Sequence, residues 1–239
     1  MLRIPCLDDD ISAFPAVERA LEQPNGLLAV GGDLSPGRLL NAYRRGIFPW
    51  FSEGQPVLWW SPDPRTVLFP ERLRVSRSLR KRVRNAGFAV TLDRAFTAVM
   101  QACAAPRSGQ SGTWISPAMV AAYGRLHRAG SAHSVEVWAD SELVGGLYGL
   151  ASGRAFFGES MFSRRRDASK IALVWLCRQL LDWDYALIDC QVSSDHLLGL
   201  GAEELPRVEF IARLEQAVAQ AGQPAPWGFD PELDPLANN

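Results

Sequence analysis

The chain has 239 residues, 47% of them hydrophobic, enough for one large domain or for a small domain joined to a larger one. Its 25 basic and 26 acidic residues leave a net charge of -1, so a nucleic-acid surface must come from local clustering of charge and not from the overall balance. The longest apolar run, residues 171–181, is broken by Arg178 and Gln179 and falls well short of the ~20 residues that a bilayer requires, which argues against a helical membrane span.

The N-terminus, MLRIPCLDDDIS, turns acidic where a secretory signal would carry its apolar run, and the chain is expected to stay in the cytoplasm. Cys6, Cys103, Cys177 and Cys190 lack a C-x-x-C spacing, and His127, His133 and His196 form no H-E-x-x-H pair. Neither a metal site nor a disulfide framework is expected. Residues 25–65 are dense in Gly, Pro and Trp and hold one helix, capped by Ser35, opened by Pro36 and stopped by Gly46. The SPDP turn at residues 61–64 reads as a boundary, with a small N-terminal domain over residues 1–62 and the main domain over 63–239.

In the main domain a strand is expected at 88–92, a helix at 93–102 opened by an Asp93 cap, and a helix at 117–128 between Ser116 and Gly130. The period then changes. HSVEVW, ELVGGLYGLA and RAFFGESMF are separated by the polar turns ADS and SGR, a three-stranded antiparallel meander. A helix at 167–181, a strand at 186–192 and a short helix at 195–200 follow, and the tail from Gln223 is read as loosely ordered. The order makes an α+β fold with a mixed, largely antiparallel sheet flanked by helices. It resembles the fold of the GCN5-related N-acetyltransferases. Those enzymes hold coenzyme A with a Q/R-x-x-G-x-G/A loop, and here the corresponding stretch reads GESMFSRRRDASK, without that loop.

Four stretches carry chemistry. Between Arg72 and Arg84 lie seven basic residues and no acidic one; with Ser76 as cap, Arg77, Arg80, Lys81 and Arg84 share one helix face, and Leu79 and Val83 point toward a core. Such a stripe suits a row of phosphates, the alternative being a solvated face. In ALIDCQV, strand alternation puts Asp189 and Gln191 on one side and Cys190 on the other, as a structural network or as a pair in which Asp189 polarises the Gln191 carboxamide toward an attacking amine. Glu159 in FFGESMFS is either a solvated turn residue or a carboxylate that faces a cleft and awaits a cation. Trp50, Trp59, Trp60, Trp114, Phe156 and Phe157 complete the set, though periodicity does not say which of them line a pocket.

The strings PNGLLAVGGDLSPGRLLNAYRRGIFPWF, LWWSPDPR, GTWIS, AYGRLH, HSVEVW, LVGGLYG, FFGESMFS, ASKIAL and LIDCQ together resemble the bacterial leucyl/phenylalanyl-tRNA-protein transferases over residues 14–210. The resemblance implies transfer of Leu or Phe, and less well Met, from aminoacyl-tRNA to proteins that begin with Arg or Lys, marking them for N-end-rule degradation. It implies no ATP, metal or coenzyme A. Carried over by motif, Asp189 and Gln191 are the catalytic pair, and Glu159 meets the acceptor's N-terminal residue. Trp50, Trp114, Leu147, Phe156, Leu176 and Leu180 form the pocket for the transferred side chain, although Leu176 and Leu180, four apart on a helix, fit plain core packing equally well. Arg164, Arg165 and Arg166 are the next candidates for the tRNA backbone. The competing readings are a coenzyme A-dependent N-acetyltransferase, which the missing loop disfavours, and a non-catalytic tRNA-binding module.

Overall fold

A computed structural model describes residues 4–105 and 113–237; Gly112, at the head of GTWIS, lies outside the described residues. Several helices begin where a serine precedes them, three of them in the first half of the chain. Ser35 opens α1 (Pro36–Arg44), Ser76 opens α2 (Arg77–Asn85) and, beyond α3 (Phe96–Ala104), Ser116 opens α4 (Pro117–Arg128). Each hydroxyl accepts from the amide three residues on, at 3.4, 3.2 and 3.3 Å, and so satisfies one of the donors a helix start leaves open. The Asp93 cap is not formed. Asp93 adopts a left-handed φ of 60°, and its carboxylate pairs with His133 and accepts from Ser134, so the helix starts later, at Phe96. The amides of Arg94 and Ala95 donate instead to Glu136, a buried carboxylate on a neighbouring strand.

Four short strands, β1 (Cys6–Leu7), β2 (Leu27–Gly31), β3 (Phe48–Pro49) and β4 (Leu58–Trp60), form a small sheet in the order β1-β2-β4-β3. The large sheet lies wholly after it in sequence: β5 (Arg65–Leu68), β6 (Ala89–Leu92), β7 (Ala132–Ala139), β8 (Glu142–Ser152), β9 (Ala155–Ser163), β10 (Leu187–Gln191) and β11 (Glu203–Leu205). Its order is β11-β5-β10-β9-β8-β7-β6. Strands β7, β8 and β9 are the expected meander, and β9 and β10 pair in parallel. A parallel pair needs a crossover, supplied by α5 (Ala168–Asp182). The remaining helices are α6 (Asp195–Gly199) and α7 (Arg207–Val218). The result is the α+β architecture read from the sequence, a largely antiparallel sheet with helices on both faces.

Strand alternation divides the core. Tyr148, Leu150 and Phe157 face α1, α3, α4 and α7, and Leu147 and Phe156 face α5 on the other side. Trp59, Phe48 and Leu39 of the N-terminal segment share the first core with Phe210 and Leu214 of α7, so both sheets bury one apolar cluster. The tail, expected to be loose from its Pro-rich composition, carries packed residues among those described. Trp227 and Leu236 are buried in the second core, and the Asp230 amide donates to the Gln179 carboxamide oxygen at 2.9 Å. Two apolar anchors and a backbone hydrogen bond hold a segment that has no regular element. Among the described residues, no helix is long and apolar enough to cross a membrane.

Candidate active site

Strand β10 lies between β5 and β9, and its polar residues do not keep the simple alternation expected for them. The register against β5 shifts between Asp189 and Gln191, a bulge at Cys190, and Gln191 takes a left-handed φ of 58°. The extra residue turns Gln191 into the main cleft together with the partly buried Cys190, whose thiol burial pushes up to about 12. Asp189 is fully buried and does not line that cleft. Its partner is Arg65 of β5: Nε donates to Oδ1 at 2.7 Å and Nη2 to Oδ2 at 2.6 Å, a two-pronged pair. Asp189 Oδ1 also accepts from the backbone N–H of Gln191 at 3.0 Å. The carboxylate thus holds the Gln191 backbone instead of polarising its carboxamide, and the carboxamide nitrogen is buried without a hydrogen-bond partner among the described residues.

Arg65 is provided for on its other sides. Nη1 donates to the Gly46 carbonyl at 3.1 Å, and the guanidinium lies 4.8 Å from the Phe48 ring and 4.7 Å from the Phe210 ring, within cation–π range. Gly46 has a φ of 70°, and a β-carbon there would come within 2.5 Å of the Ile211 Cδ1, so glycine suits the turn that brings this carbonyl to the guanidinium. The sequence reading missed Arg65. A charged residue at the head of the β-prone run Arg65–Leu68 was the available signal.

Glu159 sits on β9, partly buried in the cleft wall. Tyr43 of α1 donates to its Oε1 at 2.7 Å and Tyr123 of α4 to its Oε2 at 3.0 Å, and the two hydroxyls also touch each other. Three groups in a ring make three contacts, and the two tyrosine protons can fill only two of them; a protonated carboxyl donates to one hydroxyl and so frees that tyrosine's proton for the other. Burial is the main cause that lifts the Glu159 carboxyl to about 7, against the lowering effect of the two hydroxyl donors. Burial and this carboxylate together also hold both phenols well above their usual range. Neither tyrosine was singled out from the sequence, because each occupies an ordinary core position on its helix.

The cleft encloses about 1570 Å³. Trp114, Leu147, Phe156 and Leu176 line it together with Glu159 and Gln191. Leu180 does not line it; one turn further along α5 it is fully buried, the core-packing alternative left open for this pair. Trp50 does not line it either. It is 45% exposed and packs 5.8 Å from Trp60, whose indole N–H donates to the Trp50 carbonyl. Its neighbours Ser52 and Glu53 reach the cleft in its place. Among the described residues, no three His, Cys, Asp or Glu side chains converge as a metal-holding group.

Helix α2 presents Arg77, Lys81 and Arg84 to solvent, with Arg80 half-buried and Leu79 buried beneath. Arg82, which the sequence reading did not place on the stripe, donates to the Arg166 carbonyl at 3.3 Å. The basic helix is thereby tied to the Arg164–Arg166 segment, and Arg164 stands on the rim of the cleft.

The family described as leucyl/phenylalanyl-tRNA protein transferase matches residues 67–215, and its N-terminal domain matches residues 32–63. A leucyl/phenylalanyl-tRNA–protein transferase of Nitrosomonas europaea is 62% identical over 91% of this chain and 92% of its own. One of Thiobacillus denitrificans is 62% identical over 92% and 96%. Among solved structures, a GCN5-related N-acetyltransferase from Kribbella flavida aligns over 71% of this chain and 60% of its own with a TM-score of 0.37 and 13% identity, too distant to carry an argument. With both of its sequence regions matched and relatives of such identity along nearly the whole length, the chain belongs to the leucyl/phenylalanyl-tRNA protein transferase family.

Proposed function

We propose that the cleft is where an aminoacyl group passes from tRNA to the N-terminus of a protein, with Leu and Phe, and less readily Met, as the donors. The observation that carries this reading is the convergence on one cleft of apolar walls, a carboxyl group and a carboxamide nitrogen that has no hydrogen-bond partner among the described residues. Trp114, Leu147, Phe156 and Leu176 would take the donor side chain. A methylene more or less changes such binding by only ~1–3 kcal/mol, so similar apolar donors are separated modestly, and polar ones are rejected by the cost of burying them unpaired. The basic helix α2, continued by Arg164, Arg165 and Arg166, would carry the phosphates of the acceptor stem toward the cleft.

The acceptor α-amine attacks the ester carbonyl carbon. An amide bond forms, the ester bond to the terminal ribose oxygen breaks, and the amine proton ends on that oxygen. An aminoacyl ester is already activated, so placement of the amine is the main requirement. Gln191 would meet the reacting groups through its carboxamide, with the free N–H aimed at charge that develops on the carbonyl oxygen. Asp189 would act as a positioning residue, fixing the Gln191 backbone while Arg65 keeps its charge compensated. Glu159, once ionised, would receive the Arg or Lys side chain of the acceptor's first residue. No metal, nucleotide or coenzyme A enters this scheme.

The reading places the enzyme in the cytoplasm, where charged tRNA is made, and its products would carry a destabilising N-terminal residue read by proteolysis. We also assign the division at residue 62 to two units, a small one that contributes Tyr43, Ser52 and Glu53 to the site and a larger one that carries Glu159, Asp189 and Gln191. The test is transfer of radiolabelled leucine from Leu-tRNA to a protein that begins with Arg, beside the same protein with its N-terminus acetylated. Label on the first alone supports the scheme; label on both, or on neither, sinks it.

A further inference from the structure

Phe156, a wall of the cleft, is held by two neighbours. Gly149 of β8 is one, where a β-carbon would come within 2.6 and 2.7 Å of the ring's Cε1 and Cζ, so the ring occupies the space a side chain would need. Trp227 of the C-terminal tail is the other, 6.2 Å away between ring centres and inclined by 30°. Trp227 is itself fixed on several sides. It stacks on His133 at 3.5 Å and 5°, meets Trp183 at 4.9 Å and Tyr185 at 5.8 Å, and donates its indole N–H to the Gln223 carbonyl at 3.0 Å.

The same tail then crosses α5. Phe229 packs on Trp175 at 5.1 Å, and the Asp230 amide donates to Gln179. Leu173 and Leu176 of α5 line the cleft. One strap therefore supports two walls, Phe156 through a ring contact and α5 through Trp175 and Gln179. We infer that the tail, through Trp227, sets the depth of the donor side-chain pocket, so that Trp227 is a positioning residue for discrimination among apolar donors. This rests on the reading that Phe156 and Leu176 hold the donor side chain. Packed interiors have little slack, so volume removed behind Phe156 lets the ring recede and the pocket deepen. Larger donors then gain relative to smaller ones.

The experiment uses full-length protein with Trp227→Phe, which keeps an aromatic ring in the tail but a smaller one. kcat/KM is measured with tRNA charged with Leu, Phe or Trp, together with affinity for uncharged tRNA and KM for an Arg-initiated acceptor. The Leu-to-Phe ratio is expected to fall by about 5-fold or more and use of the Trp donor to rise, with the last two quantities unchanged. An unchanged ratio overturns the inference, as does a uniform loss for all donors. Gln179→Leu, which cuts the strap's hydrogen bond and leaves every ring in place, gives the same readout if Trp227→Phe does not fold; a shift of about 2-fold in the same direction supports the inference and none overturns it. Phe156→Leu runs beside both. A ratio that moves with Phe156→Leu and stays still with the tail variants defeats the strap alone, and a ratio that Phe156→Leu leaves still defeats the pocket reading itself.

Discussion

Arg65 and Asp189, 124 residues apart in sequence, close a two-pronged ion pair at 2.6 and 2.7 Å with neither side chain more than 1% exposed. Removing one partner leaves a buried charge uncompensated, so Arg65→Met and Asp189→Leu should each destabilise the fold by ~3–5 kcal/mol in urea melts. The double variant should recover much of that loss, since an apolar pair of similar volume replaces the ions. Its transfer activity should stay absent, because the Gln191 backbone has lost its acceptor. A well-folded double variant with near-normal turnover would remove Asp189 from the reaction.

Gln191 offers a cleaner probe. Its left-handed φ is one that glycine adopts without penalty, so Gln191→Gly removes the carboxamide and relaxes the backbone. Turnover should fall on the order of 100-fold, with donor binding nearly unchanged. Equal losses in binding and turnover would reduce the carboxamide to a packing group.

Glu159 makes a pH prediction with a definite sign. Its folded-state value of about 7 lies above the ordinary 4.5, so the folded protein holds the extra proton between those limits. The associated stability is present below pH 4.5 and lost as pH rises through about 7. Relative to Glu159→Gln, which cannot titrate, the wild type should therefore lose unfolding free energy across that window, on the order of 1–3 kcal/mol. Activity should run the other way. In the wild type, kcat/KM for an Arg-initiated acceptor should rise through about pH 7 as the carboxylate forms. In Glu159→Gln only the limb due to the acceptor amine should remain, and parallel profiles for the two proteins would separate Glu159 from acceptor recognition.

Helix α2 should grip tRNA by charge alone. Lys81 and Arg84 are both exposed, and replacing both by Ala should flatten the plot of log affinity against log salt by about two units, without regard to tRNA sequence. An unchanged slope would make the stripe a solvated face and move the tRNA contact to Arg164–Arg166.

Leu176 and Leu180 test the pocket boundary. Leu180→Ala should cost ~2–5 kcal/mol of stability and leave the Leu-to-Phe donor ratio alone, because that side chain faces only the core. Leu176→Ala should shift the ratio. Identical behaviour of the two would mean that the cleft does not receive the donor side chain along α5.

Local signals were legible in the sequence. The Ser35, Ser76 and Ser116 caps, the meander and the acid-free face of α2 depend on residues within a few positions of one another, and each stands where expected. What failed was non-local. Asp93 is a strong cap by local preference, yet His133 and Ser134, 40 and 41 residues on, claim its carboxylate. The bulge at Cys190 depends on how β10 registers with β5, so alternation within ALIDCQV alone put Asp189 and Gln191 on one face. Of the expected pocket positions, Trp114, Leu147, Phe156 and Leu176 line the cleft, whereas Trp50 and Leu180 do not. Tyr43 and Tyr123 have no local signature, and Arg65 has only its charge at the head of a strand: their chemistry exists through partners contributed by distant segments.

The ring of Tyr43, Tyr123 and Glu159 binds three stretches of chain that share no sequence neighbourhood, α1, α4 and β9. Severing the chain within the SPDP turn would therefore divide the hydroxyls, leaving Tyr43 on one fragment and Tyr123 with its carboxylate on the other. Each fragment by itself would lack the complete ring, and mixing the two would restore it only if α1 finds its seat again. Activity recovered on mixing would then report the docking of the first sixty residues through one phenol hydroxyl.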